Sequence, residues 1–204
     1  MTTFEMTRSD ALLVRKDWLA SRTMFVFIVA ESVLFAVGFL VCFGLAYGQP
    51  LPLVASARVT PSPPTLLVSL LLMACSAVAL RVSQAANRHG DVSRARAALA
   101  VAMLLGLAFL GLHALEEGRR VGDTLSMASM FDAAVLSIVI LHTAHLVLGL
   151  FMLACVSLLL ASAADHHVSA RQALRSVALY WYFVGAVWVC IVGCFYVPRH
   201  LAGL

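Results

Sequence analysis

The sequence predicts an all-α integral membrane protein with five transmembrane helices, forming a single membrane domain over residues 1–204. Of its residues 62% are hydrophobic and only 12% are charged, and the mean hydropathy is +0.97. A soluble domain of this size does not need so much apolar surface, whereas a polytopic membrane protein does. Five apolar runs approach or exceed the roughly 20 residues that a helix needs to cross the hydrocarbon core. Apolar and polar residues do not alternate along them, which argues against a transmembrane barrel.

The first two runs are bounded by polar and proline-rich segments. The first follows a polar tail that is too long for a cleaved signal peptide, so it is predicted to remain as a signal anchor. The loop before the second run is rich in proline and ends with Pro63 and Pro64, residues suited to lead into the first turn of a helix. All five helices are predicted to cover about 22–47, 64–86, 97–115, 131–161 and 172–197.

The last three runs differ in their polar content. The third ends in "GLHALEEGRR", a charged segment typical of a helix end at the membrane surface. The fourth includes "VILHTAHLVLGLFMLACVSLLL", residues 139–160, in which two histidines lie within an apolar run. The fifth carries the aromatic segment "YWYFVGAVW".

Lysine and arginine predict the orientation of the chain. Cytoplasmic segments of membrane proteins are enriched in these two residues. Four basic residues lie on one side of the predicted bundle, namely Arg58, Arg119, Arg120 and Arg199. Ten lie on the other side: Arg8, Arg15, Lys16, Arg22, Arg81, Arg88, Arg94, Arg96, Arg171 and Arg175. The N-terminus is therefore predicted to be cytoplasmic and the C-terminus outside, and the net charge of +4 needs no nucleic-acid partner.

Ionisable residues inside a membrane are candidate functional residues. Glu31 is ~13 Å from the cytoplasmic edge and His142 is ~16 Å from the outer edge, at 1.5 Å per helical residue. Tyr182 has a similar depth, so the three side chains are predicted to form one hydrogen-bonded network. His145 follows His142 by three residues and is expected on the same helix face. Glu31 is the expected partner of these histidines.

Two other functions would assign different roles to the same residues. A small membrane metalloenzyme would bind its metal through Glu31, His142 and His145, although such a site normally needs more converging ligands. A transporter would use Glu31 and His142 as a proton relay, and would favour inverted repeats and broken helices. The sequence contains neither feature, so a hydrogen-bonded packing cluster is the favoured interpretation.

The remaining polar and aromatic positions have simpler interpretations. His113 and Glu116 are predicted to lie at a hydrated helix end near the outer interface. Trp181 and Trp188, seven residues apart, predict an aromatic stripe that packs or faces lipid. Several glycines are predicted to allow close helix contact or to make room for a lipid chain: Gly38, Gly44, Gly106, Gly111, Gly149 and Gly185.

Four stretches, in register over nearly the whole chain, resemble subunit III of the haem-copper respiratory oxidases in its short, five-helix bacterial form. "ESVLFAVGF" is similar to the glutamate motif of that family's helix, and "GLAFLGLHALEE" to a helix carrying Gln-x-x-Glu. "LHTAHLVLGL" resembles a His-x-x-His motif followed by glycine, here His142, His145 and Gly149. "YWYFVGAVWV" is similar to Tyr-Trp-His-Phe-Val-Asp-x-Val-Trp and matches at Tyr180, Trp181, Phe183, Val184, Val187 and Trp188.

The chain departs from these motifs at four positions. Ala30 replaces the serine before Glu31, and His113 replaces the glutamine that precedes Glu116. In the last motif Tyr182 replaces histidine and Gly185 replaces aspartate. Any proton-related role of the last two positions therefore does not transfer to this chain, whereas that of Glu31 and of the two histidines in the fourth run, His142 and His145, does.

The resemblance implies a non-catalytic subunit of a terminal oxidase in a bacterial inner membrane. Haem and copper would be held by the catalytic subunit I, against which this chain would pack together with other oxidase subunits. The chain itself would bind no metal, would hold phospholipid between its helices, and would help sustain proton uptake and turnover. The electron donor, cytochrome c or quinol, remains open, and so does a subunit III-like protein of a nitric oxide reductase system.

Overall fold

The computed structural model describes residues 8–47, 62–124, 130–162 and 167–196. These residues form five long helices and no strand: α1 Arg8–Tyr47, α2 Pro63–Arg88, α3 Val92–Thr124, α4 Met130–Ser162 and α5 His167–Ile191. A π-helical turn, Val192–Tyr196, continues α5. All five helices contain a segment long and apolar enough to cross a membrane. The predicted all-α membrane fold is confirmed.

Several helices extend beyond their apolar runs. Helix α1 begins at Arg8, well before the predicted start at 22, and α3 continues to Thr124, past the predicted end at 115. A helix does not end where hydrocarbon ends, because its backbone hydrogen bonds are internal and its polar residues still favour the helix in water. Helix α5 ends at Ile191 and changes to π-helical geometry, while residue 197, its predicted end, lies outside the described residues.

Helices α2 and α3 form an antiparallel pair joined by a tight turn. Gly90 adopts a φ of 79°, a left-handed conformation that favours glycine. The Asp91 carboxylate accepts a hydrogen bond of 3.0 Å from the backbone N–H of Arg94 and so caps the first turn of α3. This short connection explains why α2 and α3 contact each other along their length.

A seven-residue repeat on α2 forms the face that packs on α3 and α5. Buried positions alternate at spacings of three and four residues: Leu66, Ser69, Met73, Ser76, Leu80, Ser83 and Asn87. Such a pattern is typical of left-handed helix packing. The Ser76 hydroxyl donates to the carbonyl of Ala102, and the Ser83 hydroxyl to that of Ala95, both at 2.8 Å. Side chains this small let the backbones of the two helices approach closely.

Helix α5 is the centre of the bundle. Half of its most apolar 18-residue window is buried, compared with 11% of the corresponding window of α1. It contacts α1, α2 and α4, and its two motif tryptophans are 1% exposed. Trp181 and Trp188 therefore lie in the core, and of the two alternatives for the aromatic stripe the structure shows packing and not exposure to lipid.

Trp181 is held between two glycines on neighbouring helices. A Cβ atom added at Gly106 of α3 would lie 2.8 Å from the Trp181 ring, and one added at Gly149 of α4 would lie 2.9 Å from it. Real side chains do not approach so closely, so only glycine leaves room for the indole at both positions. These two predicted packing glycines accommodate an aromatic ring.

Replacing Gly106 by alanine is expected to destabilise the chain by about 1–2 kcal/mol, because the new methyl group would displace the Trp181 ring in a filled core. The matched control is Gly111→Ala on the same helix, where an added Cβ meets nothing within 4 Å. That variant should be neutral or stabilising by about 0.5–1 kcal/mol, since alanine is the better helix former. SDS titration of both variants measures the difference, and equal stabilities would contradict the described contact.

Candidate functional site

A carboxyl–imidazole pair joins α1 to α4 within the membrane span. Glu31 Oε2 lies 2.8 Å from His145 Nε2. The side chains are 19% and 10% exposed, respectively, so the pair is mostly enclosed by the bundle. This contact brings together two of the residues predicted from the sequence, across 114 positions of the chain.

The second ring nitrogen of His145 fixes the arrangement of protons in the pair. Nδ1 lies 2.7 Å from the carbonyl oxygen of Leu141, which can only accept a hydrogen bond, so Nδ1 carries a proton and donates it. The contact between Nε2 and Glu31 then needs one shared proton. Either a protonated Glu31 donates to a neutral ring, or an imidazolium donates to a carboxylate. Both states have zero net charge, which suits a site within hydrocarbon.

Aromatic side chains enclose the pair. The Phe35 ring packs edge-on against the His145 ring with centroids 5.0 Å apart, and Phe183 packs against Phe35 at 6.1 Å. The Tyr180 hydroxyl donates to the backbone carbonyl of His145 at 3.1 Å, while the Tyr180 ring contacts Phe27 at 5.8 Å. These residues belong to α1, α4 and α5, so the pair lies where these three helices meet.

His142 does not share this site, and the expected network of Glu31, His142 and Tyr182 is not formed. The His142 ring is fully buried and stacks on Trp188, with centroids 5.3 Å apart and an interplanar angle of 20°. A spacing of three residues leaves about 60° between two side chains viewed down a helix. Because α4 contacts α1, α3 and α5, that angle directs His145 towards α1 and His142 towards α3 and α5.

Tyr182 lies on another side of α5. Its hydroxyl donates to Gln84 Oε1 at 3.2 Å, and the Arg81 guanidinium carbon is 5.5 Å from its ring centroid. Tyr180, two residues earlier, is the tyrosine that reaches the carboxyl–imidazole site. Residues two positions apart in a helix are rotated by about 200° around its axis, so Tyr180 and Tyr182 face nearly opposite directions.

Sequence reasoning missed the serines of α2. The indole N–H of Trp181 donates to the Ser76 hydroxyl at 3.0 Å, and that of Trp188 donates to Ser69 at 3.2 Å. The two serines are seven residues apart on α2, and the two tryptophans are seven residues apart on the antiparallel α5. The two hydrogen bonds are therefore successive contacts along the interface between α2 and α5. The repeat of serine at every seventh position, continued by Ser83, was the signal in the sequence.

The C-terminal part of the apolar segment of α3 holds a second group of predicted residues. His113 is only 7% exposed, stacks on Phe109 at 5.5 Å and packs edge-on against Trp188 at 4.9 Å. It is therefore a buried residue, although a hydrated helix end was predicted. A cavity of about 10 Å³ borders it, lined by Thr65, Leu66, Ser69, Leu112, His113, Glu116 and Trp188. Glu116 is half-buried on the same rim.

A metal site formed by Glu31, His142 and His145 does not fit the observed geometry. Only Glu31 and His145 come together, and His142 lies against the aromatic rings of α3 and α5. Within the described ranges, no three histidine, cysteine, aspartate or glutamate side chains are grouped so that they could hold a metal ion.

The comparison with known protein families covers nearly the whole chain. The family model described as Cytochrome c oxidase subunit III matches residues 11–198. This match includes all five membrane-spanning segments, the carboxyl–imidazole pair and the aromatic core around Trp181.

Proposed function

Because the chain belongs to the cytochrome c oxidase subunit III family, we propose that it is the non-catalytic subunit III of a bacterial haem-copper terminal oxidase. Members of this family are multi-pass membrane subunits of the respiratory chain that associate with other oxidase subunits and lack the catalytic metal centres. In this role the chain packs against the catalytic subunit I in the inner membrane. Oxygen reduction and proton translocation are carried out by the complex.

The observation that carries the proton-related part of this proposal is the bond between Glu31 and His145. It holds one shared proton at zero net charge, in the middle of the span, with the Glu31 side chain 19% exposed at the edge of the bundle. Release of this proton would leave one negative charge on the pair, so the pair stays neutral in hydrocarbon only if each release is coupled to the uptake of another proton, from water or from a neighbouring subunit. We infer that the pair supports proton uptake by the catalytic subunit.

Phospholipid is the second ligand that we propose. The cytoplasmic end of α4 carries an open, apolar surface lined by Cys155, Leu158, Leu159 and Ala161, which suits an acyl chain. Near the cytoplasmic end of α2 lies Arg81, a cation inside an apolar span whose guanidinium packs over the Tyr182 ring, where a lipid phosphate would be its counter-ion. Mass spectrometry of lipids retained after delipidating washes tests this part, and Arg81→Gln is expected to lower phospholipid retention.

Purification of the tagged chain in mild detergent tests the proposed assembly. We expect a larger catalytic subunit to co-purify, haem absorbance to appear only with that subunit, and the isolated chain to be colourless. The intact complex should reduce oxygen, and its response to reduced cytochrome c or to quinol identifies the donor. A stoichiometric haem or metal in the isolated chain would contradict the proposal. A complex that reduces nitric oxide in place of oxygen would favour the nitric oxide reductase alternative.

A further inference from the structure

His142 is a buried polar side chain that the carboxyl–imidazole pair does not use. Its exposed fraction is 0%, and neither ring nitrogen has a hydrogen-bond partner among the described residues. A neutral imidazole has one N–H donor and one acceptor nitrogen. Leaving such a buried group unpaired costs about 1–3 kcal/mol. Something other than the described side chains is therefore expected to bind it.

The ring of His113 lies at a distance that suits a single bridging molecule. The centroids of the His113 and His142 rings are 6.5 Å apart, at an interplanar angle of 77°. Their nitrogens then approach no closer than about 4.3 Å, which is too far for a direct hydrogen bond of ~2.7–3.2 Å. Two hydrogen bonds to one water molecule between them span about 4.5–5.5 Å. A nitrogen–nitrogen separation slightly above this lower limit leaves room for one water.

A cavity next to His113 and Trp188, two residues that pack against His142, offers a place of entry for that water. Its volume of about 10 Å³ is close to the minimum for one water molecule. Its lining includes His113 itself and the polar groups of Thr65, Ser69 and Glu116, which can form hydrogen bonds with a water molecule that enters the cavity. The cavity lies on the predicted outer side of the bundle, because it is near the start of α2 and the predicted outer end of α3.

We propose that an ordered water molecule binds between His113 and His142 and reaches this position from the outer surface through the cavity at the start of α2. The fully buried imidazole of His142 is thereby in proton exchange with the outer aqueous phase. This site is separate from the Glu31–His145 pair, and it does not depend on which partner the chain assembles with.

Hydrogen–deuterium exchange of the His142 ring in the intact complex tests the site. The complex, labelled with ¹⁵N in its histidine rings, is reconstituted in lipid nanodiscs and transferred to D₂O, and the His142 signals are those that disappear in His142→Phe. The wild-type ring N–H is expected to exchange readily. Leu112→Phe, which fills the cavity, should slow this exchange by about tenfold or more. Leu115→Phe is the matched control, because Leu115 is 63% exposed on the same helix.

Three results would overturn the proposal. The first is a His142 N–H that stays protected in the wild-type complex, and the second is equal exchange in the Leu112→Phe and Leu115→Phe complexes. The third is copper or zinc in a fixed ratio to the chain that is lost in His142→Phe, because a metal ion would then bridge the rings. If His142→Phe does not assemble, high-resolution cryo-electron microscopy of the wild-type complex decides: density for a water in contact with both rings is expected, and rings packed without it would contradict the site.

Discussion

Replacing Trp181 by alanine is expected to lower the free energy of unfolding by about 3 kcal/mol, the low end of the range for large aromatic residues in cores. The low end applies because the unfolded helices remain in lipid, so that the lost packing contributes more than transfer from water. The change also removes the hydrogen bond to Ser76 and opens a cavity between Gly106 and Gly149. SDS titration or steric trapping of the variant measures the loss.

Two further variants separate packing from a general effect of mutating α5. Leu179→Ala is the control for position, since Leu179 is 47% exposed on the same helix, and its effect should stay within about 0.5 kcal/mol. Trp181→Phe keeps an aromatic ring but leaves Ser76 without its indole donor, and is expected to cost about 1–2 kcal/mol. Equal losses for Trp181→Ala and Leu179→Ala would contradict the central position of this indole.

Replacing Glu31 by alanine is expected to destabilise the attachment of α1 by about 2 kcal/mol, because it leaves the mostly enclosed Nε2 of His145 without its partner. The least buried of the five spans is α1, and apolar contact alone provides little drive for helix association in lipid. We therefore expect faster proteolysis of α1 and a complex that loses subunits more readily in detergent. The turnover of the complex should fall with it.

Glu31→Gln separates the structural part of this effect from the proton-related part. The glutamine amide can donate to His145 Nε2, so stability should stay within about 0.5 kcal/mol of the wild type. It cannot release a proton, so impaired proton uptake in a stable complex would support the proposed role of Glu31. Ser32→Ala is the control, because Ser32 is exposed and its hydroxyl donates to the carbonyl of Ile28 in its own helix. A Glu31→Ala complex as stable and active as Ser32→Ala would contradict both parts.

The sequence revealed the candidate residues more readily than their partners. Glu31 and His145 were both identified, and Glu31 was expected to pair with the histidines. Yet the shared depth of Glu31, His142 and Tyr182 predicted one network, whereas the structure places these residues at three separate locations. Depth in the membrane follows from counting residues, but the direction of a side chain depends on which neighbouring helix it meets.

The sequence by itself determined the class of protein, the number of helices and the positions of its polar residues. These properties are local: apolar length decides whether a helix crosses the membrane, and the helix satisfies its own backbone. Only the tertiary structure decided that His145 meets Glu31, that Tyr180 replaces Tyr182 near this site, and that Trp181 fits between two glycines. His142 and His145 differ in direction by about 60° around α4, and Tyr180 and Tyr182 differ by about 200° around α5. Which member of each pair reaches the site depends on where the neighbouring helices lie, and the sequence does not give their positions.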